Sequence, residues 1–79
     1  MLGVVLIKTA QGRDSHQMTK TIARDAARIP GVTDSYSVLG RYDNVVFLEG
    51  KDPAELRRIG AQIGALPGVK TCETLFEAD

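Results

Sequence analysis

The tetrapeptide Ile29-Pro30-Gly31-Val32 returns near the other end of the chain as Leu66-Pro67-Gly68-Val69. Each copy follows a helical pattern and opens an extended one. Upstream, the apolar run Val4-Val5-Leu6-Ile7 has a counterpart in Val45-Val46-Phe47-Leu48. The interval from apolar run to Pro-Gly pair is longer in the first half by about one helical turn. These matches describe a duplicated strand-helix-strand unit whose first helix is the longer. Two copies fit a duplicated domain better than a solenoid. The chain has 79 residues, so residues 1–79 form a single small domain.

The elements follow from pattern. Residues 2–9 are a continuous aliphatic strand. A helix over about residues 14–28 carries Met18, Ile22, Ala26 and Ile29 at helical spacing. A second strand over 32–39 sets Val32, Asp34, Tyr36 and Val38 against Thr33, Ser35, Ser37 and Leu39. Gly40-Arg41-Tyr42-Asp43 suits a hairpin turn, and a third strand covers 44–49. Asp52-Pro53-Ala54-Glu55 then opens a second helix: Asp52 caps, Pro53 takes the first helical position, and Glu55 completes a capping box. Leu56, Ile59, Ile63 and Leu66 form its buried stripe, and a last strand covers 69–77.

A β-α-β-β-α-β order with these lengths predicts the ferredoxin-like α+β arrangement, an antiparallel sheet with both helices on one face. The first and third strands are then central, and both are apolar on both faces. Val4 and Leu6 oppose Val5 and Ile7, while Val45 and Phe47 oppose Val46 and Leu48. A half-solvated sheet would alternate there instead. Leaving four such side chains in water forfeits about 1.5–3 kcal/mol each, which rivals the roughly 5–15 kcal/mol stability of a whole domain. Two helices cover one face only. A second copy of the chain is the economical cover for the other.

Composition narrows the function classes. Ten basic residues cancel ten acidic ones, without the basic surplus of a protein that lives on phosphate contacts, so direct nucleic-acid binding is not expected. Cys72 is the sole cysteine, which leaves no intrachain disulfide and no structural zinc site; no metal or cofactor is expected. The run Leu2 to Ile7 is too short for a membrane span and lacks the flanks of a signal peptide. The chain reads as cytoplasmic, with no membrane partner.

Gly40-Arg41-Tyr42-Asp43 is the most functional-looking segment. It gathers a glycine backbone, a cation, an aromatic ring and a carboxylate in one turn. A free amino acid needs a carboxylate for its ammonium and donors for its own carboxylate, and this turn holds both. A plain hairpin accounts for the same residues, with Gly40 serving its backbone angle and Asp43 a side-chain-to-backbone bond.

The ordered set of motifs resembles the effector-binding (RAM) domain of the Lrp/AsnC feast/famine regulators. The features that carry it are Ile29-Pro30-Gly31-Val32, the Gly40-x-Tyr42-Asp43 turn before an apolar strand, and Leu66-Pro67-Gly68-Val69 leading to Cys72-Glu73-Thr74. It covers essentially the whole chain and is similar to stand-alone members without the helix-turn-helix half. The resemblance implies a dimeric α+β barrel with sheets packed face to face, dimers assembled into rings such as octamers, and an amino acid or related small effector between dimers. By matching positions it places ligand contacts at Gly40, Arg41, Tyr42 and Asp43 and at Cys72 and Thr74. Asp43 would take the ammonium and Thr74 the carboxylate. The family often carries threonine or serine where this chain has Cys72, a weaker hydrogen-bonding group.

Other residues read as structural. His16 lies near a helix start and is expected in solvent, Arg57 and Arg58 form a solvated helix face, and Cys72 is a strand thiol without an obvious activating partner. Gly60-x-x-x-Gly64 permits close packing of the second helix. Tyr36 fits either the core or an intersubunit contact. The expected function is a homo-oligomeric amino-acid sensor, not an enzyme, that modulates full-length Lrp/AsnC regulators by co-assembly. The alternatives are a small dimeric α+β barrel enzyme of oxygenase or isomerase type and a purely structural assembly partner.

Overall fold

The computed structural model describes residues 1–10 and 15–78. Its elements are β1 (Leu2–Thr9), α1 (Ser15–Ala27), β2 (Val32–Ser37), β3 (Asn44–Glu49), α2 (Pro53–Gly64) and β4 (Val69–Phe76). The expected start of the first helix at residue 14 lies outside the described residues. The strands form one antiparallel sheet in the order β2-β3-β1-β4, so the two apolar runs are the central strands. The ferredoxin-like order expected from the duplication is present.

Register decides the faces. Val5 lies opposite Val46 on one side and Thr74 on the other. Val5, Ile7, Val46 and Leu48 point toward the helices and join Ile22 and Ala26 of α1 and Leu56, Ile59 and Ile63 of α2 in the core, each no more than 2% exposed. Met18, Ile29, Leu66 and Phe76 pack around its margin. The opposite face carries Leu2, Tyr36, Phe47 and Leu75 as exposed large side chains, with Val4, Leu6 and Val45 half-buried among them. Helices cover one face, and an apolar surface remains on the other.

The duplicated tetrapeptides fold alike. Val32 N–H donates to Ile29 O at 3.1 Å and Val69 N–H to Leu66 O at 3.2 Å. Gly31 and Gly68 take φ of 100° and 94°, a region that side-chain-bearing residues rarely adopt. Each turn also packs on the other repeat's helix. A methyl group at Gly31 would overlap Ile59 of α2, and one at Gly68 would sit 2.9 Å from Met18 Cγ of α1.

Two local patterns differ from expectation. β2 carries an irregularity: Val32 pairs with Leu48, but Asp34 already pairs with Phe47. The extra residue, Thr33, donates from Oγ1 to Phe47 O at 3.3 Å. Such a bulge switches faces, so Val32 reaches the core margin while Asp34 and Tyr36 turn to the uncovered face. At α2, Asp52 caps as expected, its Oδ1 accepting from Glu55 N–H at 2.8 Å. The return bond of the capping box goes elsewhere: Glu55 Oε1 accepts from Lys51 N–H at 3.3 Å rather than from Asp52.

Candidate functional site

The hairpin turn is fastened to β1. Val38 N–H donates to Asp43 O at 2.9 Å and closes the hairpin, while Asp43 N–H donates to Ile7 O at 2.8 Å. The Asp43 carboxylate then completes the joint. Its Oδ2 accepts from both Thr9 N–H at 2.8 Å and Thr9 Oγ1–H at 3.1 Å. Next in sequence, Asn44 is fully buried and donates from Nδ2 to Thr19 O of α1 at 2.9 Å and to Tyr36 O of β2 at 3.3 Å. Gly40 sits at φ 137° with open space where a Cβ would be, so backbone conformation rather than room explains the glycine.

Beyond this joint the turn reaches across the sheet to β4. Tyr42 hydroxyl donates to Glu73 Oε2 at 3.0 Å. That bond, and then the charge of the same carboxylate, hold the phenol above its ordinary value, with Arg41 pulling weakly the other way. Arg41, Tyr42, Cys72 and Glu73, with Lys8, Leu6 and Thr71, enclose a depression of about 360 Å³. Leu6 pairs with Glu73 and Lys8 with Thr71, so β1 supplies the floor and β4 one wall. Arg41 and Lys8 are exposed, and neither takes part in an ion pair among the described residues.

The six sequence candidates therefore divide. Arg41 and Tyr42 share this depression; Cys72 borders it, but lies opposite the core residue Ile7 and carries its thiol on the helix side, near Gly64. Asp43 is turned to Thr9 and borders a separate hollow of about 270 Å³ with His16, Thr19, Val38 and Leu39. Thr74 points to the helix side of the sheet, where a Cβ at Gly60 would come within 2.9 Å of its Oγ1; at Gly64 a Cβ would lie 3.1 Å from Cys72 Sγ. The Gly60-x-x-x-Gly64 spacing thus lets α2 settle onto β4. Gly40 shapes the turn.

Lys8, Thr9, Asn44 and Glu73 stand outside the sequence candidates. Thr9 and Asn44 carried a signal, since each is a polar residue in register with a buried apolar row: Val5-Ile7-Thr9 and Asn44-Val46-Leu48. Lys8 carried none, and Glu73 stood inside the Cys72-Glu73-Thr74 motif without a role, because only strand pairing brings either beside the turn.

No group of three or more His, Cys, Asp or Glu side chains arranged to hold a metal occurs among the described residues. No described helix is long and apolar enough to cross a membrane.

Residues 3–77 match the family described as the Lrp/AsnC ligand binding domain. Over 76 residues the chain is 32% identical to the HTH-type transcriptional regulator FL11 of Pyrococcus horikoshii, covering 96% of this chain and 47% of that protein. Over 61 residues it is 38% identical to a homocitrate synthase of Sulfurisphaera tokodaii, covering 77% of this chain and 13% of that enzyme. The chain thus spans less than half the length of these curated relatives. Among solved structures, TTHA0845 from Thermus thermophilus is similar at 33% identity and a TM-score of 0.80, over 99% of this chain and 95% of that one. The regulator NMB0573 of Neisseria meningitidis, solved as a complex with L-Met, shares the fold at 13% identity and a TM-score of 0.72, over 99% of this chain and 49% of that one. With its full strand-helix duplication and an almost complete family match, the chain belongs to the Lrp/AsnC ligand binding domain family.

Proposed function

We propose that this domain is an oligomeric sensing module for a small amino-acid effector, read in the depression between the Arg41-Tyr42 turn and β4. The observation that carries this reading is the convergence of opposite charges there. Arg41 and Lys8 are suited to a carboxylate, Glu73 to an ammonium, and Leu6 to the carbon skeleton between them. Sequence matching favoured Asp43 for the ammonium. Asp43 lies outside this depression, with its Oδ2 taken by two bonds from Thr9. Glu73 lines it and gives only Oε2 to Tyr42, which makes Glu73 the better-placed acceptor and Asp43 the residue that holds the turn.

Assembly belongs to the same reading. A second copy packing its sheet on the face of Val4, Phe47 and Leu75 would bury the apolar surface that the helices leave bare. Similarity to part of a transcription regulator and to part of a biosynthetic enzyme is what a portable sensing unit would show, one able to tune larger regulators by co-assembly. The test is calorimetric titration of the purified chain with each amino acid in turn, repeated with Glu73→Gln. Saturable heat that weakens in the variant supports sensing at this depression. No heat from any amino acid removes the proposal and leaves the purely structural assembly partner as the better account.

A further inference from the structure

The depression holds two cations against one anion. Lys8 and Arg41 are without ion-pair partners among the described residues. The one carboxylate that lines the depression with them, that of Glu73, gives its Oε2 to the neutral Tyr42 hydroxyl and keeps its charge. The chain as a whole carries no net charge, so this surplus is a property of the site and not of the surface at large. A neutral amino acid brings one carboxylate and one ammonium and leaves a cation unmatched. A basic one adds a third positive charge. Only a ligand with two carboxylates and one ammonium balances the three groups.

Resting on the sensing function proposed above, we infer that the effector class is the dicarboxylic amino acids, with Lys8 as the residue that selects for the second carboxylate. Register supports the division of labour. Lys8 and Glu73 belong to neighbouring rows of the β1–β4 ladder, Lys8 opposite Thr71 and Glu73 opposite Leu6. Such diagonal neighbours on adjacent strands stand about 7–8 Å apart, a separation that a short dicarboxylic amino acid bridges lengthwise. Arg41 enters from the turn with the planar fork that suits one carboxylate. Lys8 offers a point charge to the other, Glu73 accepts from the ammonium, and the methylene groups lie over Leu6.

The experiment compares isosteres by calorimetry on the full chain: L-glutamate with L-glutamine, L-aspartate with L-asparagine, and L-lysine as the cationic control. A dicarboxylic ligand should bind about tenfold or more tighter than its amide, the scale of one charge-assisted contact. Lys8→Gln should close most of that gap, and Arg41→Gln should weaken acid and amide alike. Both side chains are exposed, so neither change threatens the fold. Amide or lysine binding as tight as that of the acid overturns the inference while leaving sensing intact. So does an acid preference that survives Lys8→Gln. Absence of binding by every amino acid is a separate result, which removes the sensing function and this inference together.

Discussion

Phe47 is the sharpest probe of the uncovered face. It lies at the middle of β3, opposite Val4 on one side and Asp34 on the other, with its ring 6.2 Å from Tyr36 at 75°. The side chain is 41% exposed. For a residue presenting about 200 Å², that leaves roughly 80 Å² per copy for a partner sheet to cover. Two symmetric copies would remove about 160 Å² from water, worth roughly 4 kcal/mol at about 25 cal/mol per Å², or about a thousandfold in the dimer dissociation constant. Phe47→Ala should forfeit most of this. Phe47→Asp adds an unpaired charge to the covered face and should abolish pairing at any workable concentration. In the isolated chain the same residue is in solvent, so either variant should keep its secondary structure by circular dichroism. Sedimentation velocity across a concentration series reads the outcome. A folded Phe47→Asp chain that sediments with the wild-type mass would refute sheet-to-sheet pairing, and a wild-type monomer would refute it sooner.

Three further outcomes follow from contacts within the chain. Asp43→Ala leaves the nearly buried Thr9 N–H without its acceptor and should cost about 1–3 kcal/mol; thermal melts that match wild type would show that the joint is dispensable. Gly60→Ala gains helix propensity of about 1 kcal/mol yet drives a methyl group to within 2.9 Å of Thr74 Oγ1, so it should destabilise, and adding Thr74→Ala should recover the loss; simple additivity in that double-mutant cycle would contradict the close approach. Tyr42 titrates above the ordinary phenol value because Glu73 accepts its hydroxyl proton in a hydrogen bond. A raised folded pKa means that this contribution is complete below about pH 10, the unfolded tyrosine value, and is lost as pH rises through the folded value. Tyrosinate absorbance should show Glu73→Gln lowering the Tyr42 transition, while Tyr36, raised by Asp34, stays where it was.

The fold was legible because its signals are local and repeated. The Pro-Gly turns, the aliphatic stripes of both helices and the Asp52 cap each follow from a few neighbouring residues, and the two copies reinforce one another. The bulge at Thr33 was not legible, since a face switch within β2 depends on its pairing with β3. The site was legible only in part. Arg41 and Tyr42 announce themselves as a turn, but their partners Lys8 and Glu73 lie far away in sequence and are ordinary charged residues of strands until the ladder aligns them. Asp43 shows the opposite limit: local sequence offers a binding carboxylate and a structural one equally, and only the bonds from Thr9 reveal the second role.

β1 is where core, uncovered face and depression meet. Val5 and Ile7 fill the core, Val4 and Leu6 face away from the helices, and Thr9 holds the turn through Asp43. Leu6 belongs at once to the uncovered face and to the floor of the depression, beside Glu73. A ligand seated there would rest on a side chain that a second sheet must also accommodate. Binding and pairing would then share a contact, and linkage is reciprocal: an effector that tightens pairing must bind the paired form more tightly by the same factor. That factor is measurable without knowing which regulator the domain serves. Effector affinity should change with protein concentration across the pairing transition, and Phe47→Asp, which touches only the sheet face, should flatten the dependence. Affinity independent of concentration in the wild-type chain would mean that Leu6 transmits nothing, and that this domain reads its ligand without coupling it to assembly.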